Sequence, residues 1–353
     1  MTRITRGHPE GADRNVHFPE NPFADDGPGH TGPRSLIASF FANRALSKFR
    51  ERAQQIVDDA LRGYERGGDF PLVDAIGFPL PYHITRDLLG VPDVENREAL
   101  RDWTWRSQEL IDAFLPDAEL PPKVDASGRL ADHLREVLAW KRGHLGDDVF
   151  SIVIRAAEKG EIMRPEQILP FIYTLYLAGM HTTVHQTALA LHTLLRHPDQ
   201  WALLRAKPEL LENAVEEILR FESTAQYMRR TTERTVEVGG LTIPPRVHVV
   251  CWIASANRDP AQWGPTADVF DITRSNARQH VAFGKGPHVC LGAGMGEALL
   301  IGLLASIVRW FELELPSGAP PPGHAFDPSL TLPRDRVLRV GRGASRHGHA
   351  PSA

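Results

Sequence analysis

Two short stretches hold the side chains best suited to chemistry. The first is "HTTVH", in which His181 and His185 stand four residues apart. On a helix that spacing puts both imidazoles on one face, where they can share a zinc ion. Glu216 or Glu217 could supply a distant third ligand, but a zinc-protease helix needs Glu directly after the first His as its general base. That position is Thr182. The second is "HVAFGKGPHVCLGAGMGEALL", where Cys290 follows a Gly-rich loop and directly precedes an apolar helical pattern. A helix N-terminus offers unpaired N–H groups and a partial positive charge, and both stabilise a thiolate. Gly284, Gly286 and Gly292 let backbone approach something flat. The plainer alternative is a Gly-rich turn around a buried structural cysteine.

These side chains must be held by helices. Ile37, Phe40, Phe41, Phe49, Ala53, Ile56, Val57 and Leu61 recur at helical spacing, and Gly67-Gly68 ends that block. Further helices are expected over about 73–89, 94–114 and 122–144. "PEQILPFIYTLYLAGMHTTVHQTALALHTLLRHP" predicts one helix of about thirty residues with no proline in its interior. Being apolar on nearly every side, it should run through the centre of the molecule. "ELLENAVEEILRFES" is amphipathic and helical. "RRTTERTVEVGGLTIPPRVHVVCWIASANRDP" alternates, turns at Gly239-Gly240 and predicts a small antiparallel sheet over about 226–256. A last apolar helix, "GEALLIGLLASIVRWF", follows Cys290, and a short strand is expected near "RDRVLRV". Residues 1–28 read as a flexible arm, "LPSGAPPPGHAFDP" as coil and 341–353 as a disordered tail. The fold class is therefore mainly α with a small β portion.

At 353 residues the chain can bury a large core. Its net charge of −4 argues against nucleic acid or an anionic membrane as the main partner. No apolar run reaches membrane-spanning length. The two cysteines, Cys251 and Cys290, make no disulfide framework, and "MTRITRGHPEGADRNVHFPE" lacks the apolar core of a secretory signal. A cytoplasmic protein is expected.

The second stretch resembles the haem-ligand loop of the cytochrome P450 family: Phe, two residues, Gly, one residue, His or Arg, one residue, Cys, one residue, Gly. Here these are Phe283, Gly286, His288, Cys290 and Gly292. A second hallmark is Glu-x-x-Arg on a helix, paired with a later Arg: Glu217 and Arg220 in "EEILR", with Arg274 in "FDITR". A third is Ala/Gly-Gly-x-acid-Thr-Thr/Ser, matched by Ala178, Gly179, Met180, His181, Thr182 and Thr183. The resemblance covers about residues 20–340. It implies a single domain over 29–340 with the family's triangular helical prism around haem b (iron protoporphyrin IX).

The resemblance assigns roles residue by residue. Cys290 becomes the axial thiolate and metal ligand, in a loop where Phe283, Gly284 and Gly292 flank the haem. His30, Arg34, Arg230 and His288 hold the haem propionates. Glu217, Arg220 and Arg274 form a buried charge triad. Ala178 lines the cofactor, Gly179 leaves room for dioxygen and Thr182 donates a hydrogen bond to it. The substrate pocket would include Leu177, Met180, Ala225, Gln226 and Tyr227, with "DWTWRSQELIDAF" as a mobile lid in which Trp103 or Trp105 faces the substrate, or both are plain core residues.

His181 departs from the family's acid, which helps relay protons. His181 and His185 form either a substitute relay or a sign that ordinary oxygen insertion has been tuned down. Glu297 stands where relatives often carry Arg, and is expected at the surface. The implied activity is a haem-thiolate monooxygenase that inserts one oxygen atom into a small organic substrate of secondary metabolism. Its electrons would come from a separate ferredoxin or flavodoxin and its reductase. An oxidative coupling enzyme for a peptide or carrier-bound aromatic substrate is the alternative. Family members usually begin several dozen residues earlier, so the resemblance leaves two expectations: a misassigned start, or a naturally shortened member. That motivates a third reading, an inactive haem-binding relic, against which Cys290, Thr182 and Arg220 argue.

Overall fold

The computed structural model describes residues 2–3, 20–64, 68–110, 115–160, 162–315 and 337–341. Strand β1 (Thr2–Arg3) is followed, beyond an undescribed stretch, by a 3-10 turn over Pro22–Ala24 capped by the Asn21 side chain. The expected arm over 1–28 thus lies largely outside the described residues. Its last part is anchored: Phe23 stacks on Phe171 with centroids 4.6 Å apart, and Asn21 donates to the Thr174 hydroxyl at 2.9 Å.

Helix α1 (Pro28–Ile37) starts with Pro at N1, where a missing N–H costs nothing. The apolar block from Ile37 to Leu61 is not one helix. A 3-10 turn over Ala38–Phe41 and an extended Ala42 separate α1 from α2 (Asn43–Leu61). Strand β2 (Gly68–Pro71) follows. The helix expected over 73–89 opens as a wide π turn, Val73–Gly77, in which the Phe78 N–H reaches the Val73 carbonyl at 2.8 Å. Pro79 has no N–H to donate, so the regular ladder begins only with α3 (Pro79–Leu89), which ends at left-handed Gly90.

Helix α4 (Arg97–Glu109) is capped by Asn96 and starts three residues later than expected, with 111–114 of that expectation outside the described residues, while α5 (Leu120–Arg142) matches its expectation within two residues. Helix α6 (Val149–Lys159) was not expected, although Asp148 caps its start and Gly160 closes its end. Contrary to the expectation of a proline-free helix, the central helix α7 (Ile168–Arg196) contains Pro170, but in its first turn, where no intrahelical donor is needed. A short α8 (Pro198–Ala206) leads to α9 (Leu211–Phe221).

The expected sheet region holds two units. Strands β3 (Tyr227–Thr232) and β6 (His248–Trp252) pair antiparallel, with Tyr227 opposite Trp252, and β1 adds to β3 at Thr231 and Thr232. Strands β4 (Val236–Val238) and β5 (Leu241–Ile243) form a hairpin in which Gly239 and Gly240 both have positive φ, 56° and 78°. Residues 253–256 are helical, not strand: α10 (Ile253–Ala256) and α11 (Pro260–Trp263) follow β6. Helix α12 (Ala293–Trp310) begins directly after Gly292. Strands β7 (Glu312–Glu314) and β8 (Val337–Gly341) close a second sheet in the order β2-β8-β7.

Two hydrophobic clusters make the core. One joins α2, α9, α12 and the second half of α7, including Leu191, Ile218 and Leu303. The other joins α5, α6 and the first half of α7, including Leu134, Phe150 and Phe171. Helix α7 threads both, as its all-round apolarity requires. Among the described residues no helix is long and apolar enough to cross a membrane.

Candidate functional site

The cysteine loop folds back on itself. The Cys290 N–H donates to the Phe283 carbonyl at 2.9 Å, and Val289 N–H to Gly286 at 3.0 Å. Gly284 and Gly286 sit at φ of 71° and 84°, which a side chain would resist, and this is what their spacing encodes. Cys290 itself is exposed. Even so, dense packing on its other sides pushes the thiol up from its ordinary range. The Gly292 N–H and the Arg34 charge pull the other way, while Glu297 adds to the rise. The Gly292 N–H and Arg34 therefore favour a thiolate, and desolvation opposes it more strongly.

Helix α1 lies alongside. Arg34 donates to the Val289 carbonyl at 2.6 Å. The His30 and His288 rings stack with centroids 4.0 Å apart and a 28° tilt. His288 Nε2 meets Asp26 Oδ1 at 2.7 Å. His30 is 1% exposed, and neither ring nitrogen has a hydrogen-bond partner among the described residues. Burial first, then the His288 and Arg34 charges, hold its pKa below the usual imidazole value. Arg230 stands half-buried on β3 and donates to the Arg229 carbonyl at 2.7 Å.

In mid-α7, Ala178 is exposed and Gly179, Thr182 and Thr183 are half-buried, although their helix is otherwise sunk in the core. Thr182 Oγ1 donates to the Ala178 carbonyl at 2.7 Å. A Cβ on Gly179 would come within 2.9 Å of Thr85 Oγ1, so this glycine lets α3 approach α7, and the open face belongs to Ala178. His181 and His185, on the flank of α7 next to Ala178, are both buried. Their rings are 4.2 Å apart, with Trp105 of α4 at 4.4 Å from His181 and 5.3 Å from His185. Burial, then the neighbouring His185, drives the His181 pKa well below its ordinary value.

Leu177 and Met180 pack into the core around Phe171 and Tyr176. Ala225 and Tyr227 are buried, and Gln226 is half-buried. This segment is tied to α7 by a residue the sequence reading missed. Gln186 donates to the Glu222 carbonyl and accepts from the Thr224 N–H, each at 3.0 Å. Its signal was a lone amide within an apolar run, one turn beyond Thr182.

Glu217, Arg220 and Arg274 come together in the core. Arg220 makes a two-pronged contact with Glu217 at 2.7 and 2.8 Å, and Arg274 Nε reaches the same carboxylate at 3.1 Å. Arg220 also donates to the carbonyls of Asn257, Ala267 and Val269 at 2.8, 2.8 and 3.0 Å. Glu217 and Arg220 are fully buried, so this is a charge pair held out of water with its donors satisfied.

The zinc reading fails. Among the described residues no group of three or more His, Cys, Asp and Glu could hold a metal ion. Glu217 is committed to its arginines, and Glu216 to Arg278 and His280 at 3.1 and 3.2 Å. Glu297 is half-buried, contrary to its expected surface position. Burial, then the Glu216 charge, pushes its carboxyl up.

Comparison with known proteins adds an independent line. Residues 139–338 match the family model "Cytochrome P450". The chain is 36% identical to nocardicin C N-oxygenase of Nocardia uniformis, over 81% of this chain and 70% of that protein. It is 36% identical to the monooxygenase PikC of Streptomyces venezuelae, over 78% of this chain. That match spans only 65% of PikC, so the chain covers about two thirds of its curated relatives' length. Among solved structures, the P450 enzyme CxnD, described as acting in C–S bond formation in chuangxinmycin biosynthesis, superposes with a TM-score of 0.80 at 31% identity, covering 91% of this chain and 77% of that one. With more than half the chain under the family model and such relatives beside it, the chain belongs to the cytochrome P450 family.

Proposed function

We propose that the protein is a haem-thiolate monooxygenase that inserts one oxygen atom from dioxygen into a small organic molecule. The observation that carries this is Cys290, exposed at the N-terminus of α12 beside the His30, Arg34 and His288 cluster. The residues suit a haem. Cys290 is a soft sulfur donor of the kind that would hold haem iron. The orphaned ring nitrogens of buried His30 are what a haem carboxylate would satisfy. Haem b, when bound, would supply the iron at which dioxygen is reduced, with electrons from a separate ferredoxin or flavodoxin and its reductase.

The chain's own residues then have separable tasks. The Gly292 N–H tempers the charge on the Cys290 sulfur. His30, Arg34, Arg230 and His288 hold the haem carboxylates, and Arg is suited to a two-pronged grip. Ala178 keeps the open face of α7 low, and Thr182 offers its hydroxyl there by exchanging the Ala178 carbonyl for a bound molecule. Gln186 fixes the segment 222–227, which contributes Ala225, Gln226 and Tyr227 to the substrate side. The names of PikC and nocardicin C N-oxygenase favour a secondary-metabolite substrate. Two free cysteines suit the cytoplasm.

The test is the carbon monoxide difference spectrum of the reduced, haem-loaded protein. The wild type should show the red-shifted band of thiolate ligation, and Cys290→Ala should lose it. A persistent band in Cys290→Ala overturns the assignment.

One observation favours oxidative coupling as a second reading. His181 stands at the position that, by resemblance to the family's motif, would hold an acid, yet its ring is buried against Trp105, and neither nitrogen has a hydrogen-bond partner among the described residues. A proton relay through His181 predicts that His181→Ala lowers product formed per electron consumed and that His181→Asp restores it. Unchanged ratios in both variants would sink the relay and leave coupling as the better account.

A further inference from the structure

We propose that Asp26 is a positioning residue for the cofactor site, holding the His288 imidazole stacked on His30 so that both rings meet the haem carboxylates as one unit. This rests on the haem reading above.

The contact joins residues 262 positions apart, and its side chains are only 18% and 12% exposed. With Nε2 committed to Asp26, only Nδ1 of His288 is left for another partner. The 4.0 Å stack on His30 then fixes the plane of the ring. The bond from Arg34 to Val289 ties α1 to the same loop one residue further on. A carboxylate that orients a binding histidine is a recurrent device for fixing ring direction.

Asp26 has no competing local task. It does not cap α1, whose N-cap is Gly27 and carries no side-chain capping bond. Its second oxygen, Oδ2, is buried without a hydrogen-bond partner among the described residues. Among the described residues, the hydrogen-bond partner of the carboxylate is His288.

Charge and positioning make opposite predictions. An aspartate beside a site for carboxylates repels them, so on charge alone its removal tightens haem binding. If Asp26 positions His288, its removal loosens haem binding, and an uncharged acceptor of the same shape preserves it. The experiment measures haem loss to excess apomyoglobin, together with the urea midpoint of the haem-free protein. Asp26→Ala should lose haem about ten-fold faster than wild type. Asp26→Asn should stay within about two-fold, since its carbonyl oxygen still accepts the Nε2–H. Haem-free midpoints should agree across all three. On a His288→Phe background, which keeps the stack but not the nitrogen, Asp26→Ala should add nothing.

Haem loss from Asp26→Ala at or below the wild-type rate overturns the inference. So does an equal effect of Asp26→Ala on the His288→Phe background. A wild-type protein that takes up no haem with the thiolate band overturns the functional reading itself, and this one with it.

Discussion

His181 shows what single residues can and cannot announce. Its spacing from His185 was plain in the sequence, and so was its match to the acid position. Its surroundings were not, because the partner that buries it, Trp105, comes from a helix 76 positions earlier in the chain. The same holds for Asp26 and Gln186, whose partners are set by folding alone. Burial gives His181 a consequence for stability. Its folded pKa lies well below the unfolded value near 6.5, so the unfolded chain takes the proton more readily. Stability is therefore complete above that value and is lost as pH falls toward the depressed folded pKa. The limiting slope is about 1.4 kcal/mol per pH unit for one such group. Buried His30, shifted in the same direction, steepens the loss. Urea midpoints should fall between about pH 7.5 and pH 5.5, and His181→Leu should flatten the curve by the share of one group. A slope unchanged by the substitution would falsify the assignment.

At the scale of elements, the sequence displayed whatever had a long period or a strong punctuation mark. Helices α5, α7, α9 and α12 and the Gly239-Gly240 hairpin were legible for this reason. Helix α8, nine residues long, is too short for periodicity to outweigh the neighbouring loops, whereas α6 is as long as α9 and its punctuation, Asp148 and Gly160, was readable in the sequence. The π turn before α3 was hidden because it depends on which donors Pro79 removes. One element contact is testable directly. A Cβ on Gly302 of α12 would lie 2.5 Å from the Arg50 carbonyl and 2.8 Å from Ala53 Cβ of α2. Gly302→Val should therefore destabilise by roughly 1–3 kcal/mol or more, because backbone cannot yield as a side-chain tip can. Gly63→Ala, with nothing within 4 Å of its added Cβ, is the control and should stay within about 0.5 kcal/mol by urea titration.

For the whole molecule, both cysteines are exposed, and only one is assigned to the cofactor. Titration with a thiol reagent under native conditions should count two reactive groups in the haem-free protein and one, Cys251, once haem is bound. Two reactive groups in the loaded protein would count against Cys290 as the ligand. The core triad has a different reach, into time. Arg220 and Glu217 meet within one helical turn, but their other partners lie 37 to 57 residues further along the chain. Such contacts close only after the intervening chain has been ordered, so they belong to the final stage of assembly. Breaking them should leave refolding nearly as fast as before and let the finished molecule come apart on the order of a hundred-fold faster. Trp263, whose ring lies 5.2 Å from the Arg220 guanidinium, is placed to report it. An Arg274→Gln variant followed by tryptophan fluorescence in urea should show the change almost wholly in the unfolding limb. The guanidinium cage around Glu217 is thus a clasp, which sets how long the folded protein lasts more than how quickly it forms.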